Sequence, residues 1–273
     1  AIIALGYSMV YGIAKMINFA HGDVIMVGAF VAYFALSSFG LPTIVALILS
    51  VVACTVLGIV VEKLAYKPLR GASSLSVLIT AIGVSYFLQN AAMLMWGTDT
   101  KIFPTILEGS LTIGELSIPY LTLLTILSCI VIMVVLTMFI NKTKTGRAMR
   151  ACSEDKGAAS LMGINVNQII SITFAIGSGL AAIAAVLLCA TYPSVYPTLG
   201  SMPGIKAFTA AVLGGIGSIP GAFLGGLLLG VIENLARAYI STQLSDAIVF
   251  MVLIVILLIK PTGLLGKKVN VKV

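Results

Sequence analysis

Charge is what this sequence has least of. Of its 273 residues only 9% are Asp, Glu, Lys or Arg, against roughly 25% in a soluble domain. With 60% hydrophobic residues and a mean hydropathy of +1.15, there is too little polar surface to cover a water-soluble globule. That excludes the soluble classes and leaves an integral membrane protein. Histidine and tryptophan occur once each. Cys54, Cys129, Cys152 and Cys189 lie far apart, and none forms a CxxC pair. Three of them fall in apolar runs, where cysteine behaves as a small hydrophobe, so a disulfide or zinc framework has little support. The phosphate-cradling GxxxxGK[ST], the HExxH of zinc proteases and the GxSxG of hydrolases are all missing. No paired aspartates suit magnesium–phosphate chemistry. The expectation is a chain with no catalytic residues and no metal ligands, so a membrane-embedded enzyme is a weak alternative.

Acidic residues are scarcer than basic ones, 9 against 16, for a net charge of +7. A basic surplus can signal nucleic acid. In a chain this apolar it reads instead as Lys and Arg flanking spans on the cytoplasmic side, next to lipid, with no nucleic-acid partner. The first residue is alanine inside an apolar run, and only 14 residues precede Lys15. A spanning helix needs about 20. The expectation is a single, N-terminally truncated transmembrane domain over 1–273; a cleaved signal peptide is the other reading.

Charge-free intervals place the spans. They fall near 24–38, 43–61, 76–96, 119–140, 168–190 and 246–260, with two shorter apolar pieces near 205–216 and 220–232. The fold class is therefore all-α, with about 7–9 transmembrane or half-membrane helices. Segments 62–71 and 141–157 and the tail with Lys260, Lys267, Lys268 and Lys272 are basic, and belong inside. Loops 97–118 and 191–204 belong outside. Parity then requires 205–232 to leave and return on one side, as two short spans or a re-entrant hairpin. Its Gly/Pro break is tolerated at membrane depth only beside protein or a watery cavity.

A second break lies within 10–30, where INFAHGD interrupts an apolar segment. Its layout resembles the break in VLGGIGSIPGAFLGG, with Gly22 and Gly28 set against Gly221 and Gly225. Matched interruptions in two halves of a chain point to a substrate path. Close helix packing through small residues explains the glycines equally well. Polar groups in hydrocarbon are costly and turn toward a bundle interior. Asn18, His21, Gly22, Gly217 and Gly221 are the candidate pathway residues. Asp23 has a plainer reading, as N-cap of a helix starting at Val24, and His21 as a satisfied structural histidine. Whether the break lies deep in the membrane or at its cytoplasmic mouth is open.

In the loop at about 141–167, Arg147, Arg150, Ala151, Glu154, Ala158 and Leu161 recur at helical spacing. Gly163 can end that helix. A short helix, charged at one end and small-surfaced at the other, suits a groove on a soluble partner; an interfacial helix held by anionic lipid fits as well.

Three motifs carry a family resemblance: GYSMVYGIAKMINFAHGDVIMVGAF, GRAMRACSEDKGAASLMGINV, and FTAAVLGGIGSIPGAFLGGLLLGVIENL followed by VLIVILLIKPTGLLG. In this order, across nearly the whole chain, they resemble the permease subunits of bacterial ABC importers for branched-chain amino acids, of the high-affinity LivH type. The resemblance implies the ABC importer permease fold in the bacterial inner membrane. It implies translocation of leucine, isoleucine and valine by alternating access, with no cofactor bound by this chain and ATP used by partner subunits. The implied partners are a second homologous permease, two ATPase subunits and an extracytoplasmic substrate-binding protein. By position, Arg147, Arg150, Ala151, Ala158, Ala159 and Gly163 would form the ATPase-coupling segment. Residues 153–156, SEDK, vary in such loops and are expected to make no specific contacts. Permeases for urea, short amides or ribose-type sugars are the alternatives within the superfamily, and a channel with 205–232 as pore hairpin is the alternative outside it.

Overall fold

The computed structural model describes residues 1–113 and 116–266, so Glu115, Lys267, Lys268 and Lys272 lie outside the described residues. Eleven α-helices carry the described chain: α1 (Ile2–Ala14), α2 (His21–Ser37), α3 (Thr43–Val61), α4 (Ser74–Trp96), α5 (Tyr120–Lys142), α6 (Lys144–Glu154), α7 (Lys156–Leu161), α8 (Val166–Thr191), α9 (Ser201–Gly214), α10 (Ile219–Tyr239) and α11 (Ser245–Ile259). Helices α3, α4, α5, α8 and α10 are long and apolar enough to cross a membrane. The all-α membrane architecture expected from composition is what the structure shows.

Local chemistry fixes the ends. Asn165 caps α8 by accepting from the Gln168 amide at 3.1 Å, and Ser218 caps α10 through the Gly221 amide at 3.2 Å, with Pro220 in the first turn. Ser73 does the same for α4. These side chains satisfy N–H groups that would otherwise stay unpaired where water is scarce.

Helix α8 is the axis of the bundle. In its most apolar stretch 67% of residues are buried, against 6% for α5. It owes this to small residues, Gly177, Ser178, Gly179, Ala181, Ala182, Ala184 and Ala185, which let α1, α2 and α3 approach closely. Gly58 of α3 lies directly on Ser178. α5 and α11 lie at the periphery with apolar side chains outward, as lipid requires.

Loops expected inside share one face of the bundle. The Lys156 ammonium reaches the Ala14 carbonyl at 2.7 Å, Arg70 meets Asn167, and the tail pairs Leu264 and Leu265 amides with the Leu213 and Gly214 carbonyls at 2.9 Å. Loops expected outside share the other face, where Lys101 and Val195 exchange backbone hydrogen bonds at 2.8 and 2.9 Å.

Four particulars differ from the sequence reading. The outer loop contains a short antiparallel hairpin, β1 (Ser110–Ile113) with β2 (Leu116–Pro119), too short to register as alternation. The 205–232 pair is not two equal halves. α9 has 14 residues, about 21 Å, whereas α10 has 21, about 31 Å, and runs on to Tyr239. The cytoplasmic helix is two helices, because Asp155 leaves helical geometry (φ −150°, ψ 115°) to cap α7 through the Gly157 and Ala158 amides at 2.7 and 3.0 Å. Finally, α2 begins at His21, so Asp23 stands within its first turn and is not its N-cap.

Candidate substrate path and coupling surface

The break INFAHGD joins both depths that its sequence left open. α1 ends at Ala14, with Lys15 in the left-handed region at φ 58°. Its last carbonyls lie on the face of the bundle that carries the basic loops, where Lys156 binds one of them. Residues 15–20 then climb back into the membrane, and α2 starts at His21. A Cβ on Gly6 would lie 3.1 Å from the His21 Nε2 and 3.1 Å from the Gly177 carbonyl. Gly177 is near the midpoint of α8, so α2 starts near mid-depth. Along the climbing segment, Asn18 is buried and accepts a 2.8 Å hydrogen bond from the Tyr66 hydroxyl. Tyr66 closes a π-helical turn, Glu62–Tyr66, that follows α3. Glu62 is fully buried, pairs with Arg70 and accepts from the Ser171 hydroxyl at 2.5 Å.

A second helix also starts inside the bundle. After α8, loop 192–200 folds back and α9 begins at Ser201. A Cβ on Gly22 would collide with the Gly200 carbonyl, and Gly204 lies 3.0 Å from the Gly22 Cα by the same construction. The N-terminal ends of α2 and α9 therefore touch, and the two helices run to opposite faces. α2 ends beside Trp96 at the outer side, and α9 ends under the cytoplasmic tail. INFAHGD thus meets the end of the loop TYPSVYPTLG in the folded bundle, whereas the sequence layout set it beside the α9–α10 turn.

The candidate pathway residues occupy distinct places. His21 is 1% exposed, edge-on to Tyr7 at 5.4 Å between centroids, and wedged between α1 and α8. Gly217 packs on Gly12, with 2.8 Å available to a Cβ at Gly12, and Gly221 packs on the Gly214 carbonyl. Asn18, His21 and Gly22 share the first break; Gly217 and Gly221 belong to the α9–α10 turn, joined to α1 by the Gly217 amide donating to the Ser8 hydroxyl at 3.0 Å.

Sequence reasoning missed the polar cluster where α2 and α9 begin. The Gln89 amide nitrogen donates to the Asp23 carboxylate at 2.8 Å and lies 3.3 Å from both the Ser85 and Ser201 hydroxyls. Asp23 is buried, while Ser85, Gln89 and Ser201 are half-buried. The signal was present: Gln89 is an amide inside a charge-free span, where a polar group needs a reason. Lys206 pairs with Glu233 at 2.9 Å and Asp246 at 2.6 Å, joining α9, α10 and α11. An apolar cavity of about 690 Å³ lies between α5 and α10, but its lining has no charged side chain to recognise an ionic solute.

On the cytoplasmic face, α6 buries Gly146, Met149 and Cys152 and turns Arg147 and Arg150 to solvent, with Arg150 bonded to Asn141. Ala158 and Gly163 are exposed, Ala151 is half-buried and Ala159 is buried. Leu161 and Met162 are 90% and 81% exposed, a free apolar pair beside the basic face. Lys156, within the SEDK stretch expected to make no specific contacts, is the tie to α1. Burial, then the nearby positive charges of Arg70 and Lys15, hold its ammonium below the usual lysine range.

Comparison with known proteins gives a consistent picture. The family described as branched-chain amino acid transport system / permease component matches residues 1–257. The high-affinity branched-chain amino acid transport system permease protein BraD of Pseudomonas aeruginosa is 48% identical, over 98% of this chain and 91% of its own. The corresponding permease protein LivH of Escherichia coli is 45% identical over the same shares. The fructose import permease protein FrcC of Rhizobium meliloti is 35% identical over 37% of this chain and 31% of its own. No solved structure matches. The chain belongs to the family of permease components of branched-chain amino acid transport systems.

Proposed function

We propose that this chain is the membrane-spanning subunit of an ATP-driven importer that carries leucine, isoleucine and valine across the bacterial cytoplasmic membrane. The observation that supports it most is the pair of half-helices α2 and α9, whose starting ends meet inside the bundle. Irregular backbone at that depth fits a solute path. A second permease completes that path. Two ATPase subunits hydrolyse ATP on separate chains, since this one has no phosphate loop, and an extracytoplasmic binding protein delivers the solute.

The cytoplasmic segment supplies the coupling. Arg147, Arg150, Ala158 and Gly163, with Leu161 and Met162, present a basic and apolar surface to an ATPase. Ala151 and Ala159 seat that surface on the bundle. Closure of the ATPase pair moves α6 and α7, and Lys156 passes the motion to the end of α1. The partial likeness to a fructose import permease makes a sugar the second cargo to test.

Purification of the tagged protein from its native membrane should bring down a second permease and ATPases, identified by mass spectrometry. Arg150→Glu should leave membrane insertion intact and reduce ATP-coupled leucine uptake at least ten-fold. Normal uptake in that variant would remove this loop from the coupling mechanism.

A further inference from the structure

We infer that Asp23, Gln89 and Ser201 form a recognition site, within this permease, for the charged backbone of an α-amino acid. The inference rests on the importer reading above. The three residues come from three helices, α2, α4 and α9, and converge through the Gln89 amide, 2.8 Å from Asp23 and 3.3 Å from Ser201. Ser85 adds a second hydroxyl one turn away on α4.

Depth gives the cluster its meaning. Asp23 lies two residues from His21, which sits against the middle of α8, and residues 85–89 are central in α4. A carboxylate and an amide at that level are costly against lipid. Yet Gln89, Ser85 and Ser201 are only half-buried by this chain. Polar groups left open at that level call for a second protein chain or water rather than lipid, and the proposed site uses that open side.

The chemistry of the cluster matches a zwitterion. The Asp23 carboxylate is 2% exposed and holds the Gln89 amide, so a ligand's ammonium group would reach it by displacing that contact. The Ser201 hydroxyl and the Gln89 amide suit a carboxylate, and two helix N-termini add positive potential there. Aromatic surface for an apolar side chain lies about 10 Å further along α9, where Phe208 packs on Phe19 at 6.0 Å and on Tyr7 at 5.5 Å between centroids. The Tyr7 ring packs on His21 and Phe208, and its buried hydroxyl has no partner among the described residues.

The test uses the assembled importer in proteoliposomes with its binding protein. Wild-type uptake of labelled leucine is the control: if wild type carries no branched-chain amino acid, the importer reading itself fails. If it does, Gln89→Ala should raise the KM for uptake at least ten-fold in a complex that still assembles. Ser201→Cys should react with a cationic, membrane-impermeant thiosulfonate at least ten-fold faster than the native cysteines, and leucine turnover should slow that reaction. Ser85→Cys carries the same readout if Ser201→Cys assembles poorly. Wild-type KM in Gln89→Ala, or thiols that never react in any nucleotide state, would overturn the site and reduce the cluster to a tie between α2 and α4.

Discussion

Single residues set how closely the two inner half-helices meet. Gly22 and Gly200 touch backbone to backbone, so Gly22→Ala must push its Cβ into a carbonyl. Overpacking of this kind costs about 1–3 kcal/mol, and the variant should melt earlier in detergent than wild type. Gly83→Ala is the matched control, since its Cβ enters open space on α4. There alanine should stabilise by about 0.5–1 kcal/mol. Equal melting of the two variants would contradict the close contact. Arg70→Ala poses a different question. It leaves the Glu62 carboxylate, 0% exposed, with only the Ser171 hydroxyl. Breaking a buried pair from one side costs about 3–5 kcal/mol, and Glu62→Gln added to it should recover part of that loss in a double-mutant cycle.

At the scale of elements, the spans were legible because absence of charge is a robust signal over 18 or more residues. What the sequence hid were contacts made by single side chains. The SEDK stretch looks like solvated charge, yet Asp155 splits the cytoplasmic helix and Lys156 reaches Ala14. Both depend on a partner far along the chain or on one backbone angle, and neither leaves a periodic trace. Glycine spacing found the breaks but not the contact between INFAHGD and loop 192–200, because glycine spacing marks close packing wherever it occurs. The Lys156 tie carries its own expectation. Lys156→Ala should keep ATP hydrolysis near wild type while leucine uptake falls several-fold, measured on one proteoliposome preparation. Parallel loss of both activities would make Lys156 a folding residue and not a transmitter.

For the whole molecule, the bundle is arranged around α8, with α2 and α9 entering from opposite sides and a cytoplasmic segment tied to the point where the first break begins. Composition alone placed the chain in the membrane, and its three motifs placed it among importer permeases. The site where a solute would be read was not legible, because Asp23, Gln89 and Ser201 are 66 and 112 positions apart and meet only in the folded bundle. The claim that joins these parts is that solute passage is driven from the cytoplasmic face. The most direct measurement is uptake of labelled leucine into proteoliposomes holding the copurified complex, with binding protein outside and ATP or no ATP inside. Uptake that requires internal ATP and is suppressed by excess isoleucine or valine is the expected result. Uptake that proceeds equally without ATP would contradict it and identify the chain as a passive pore.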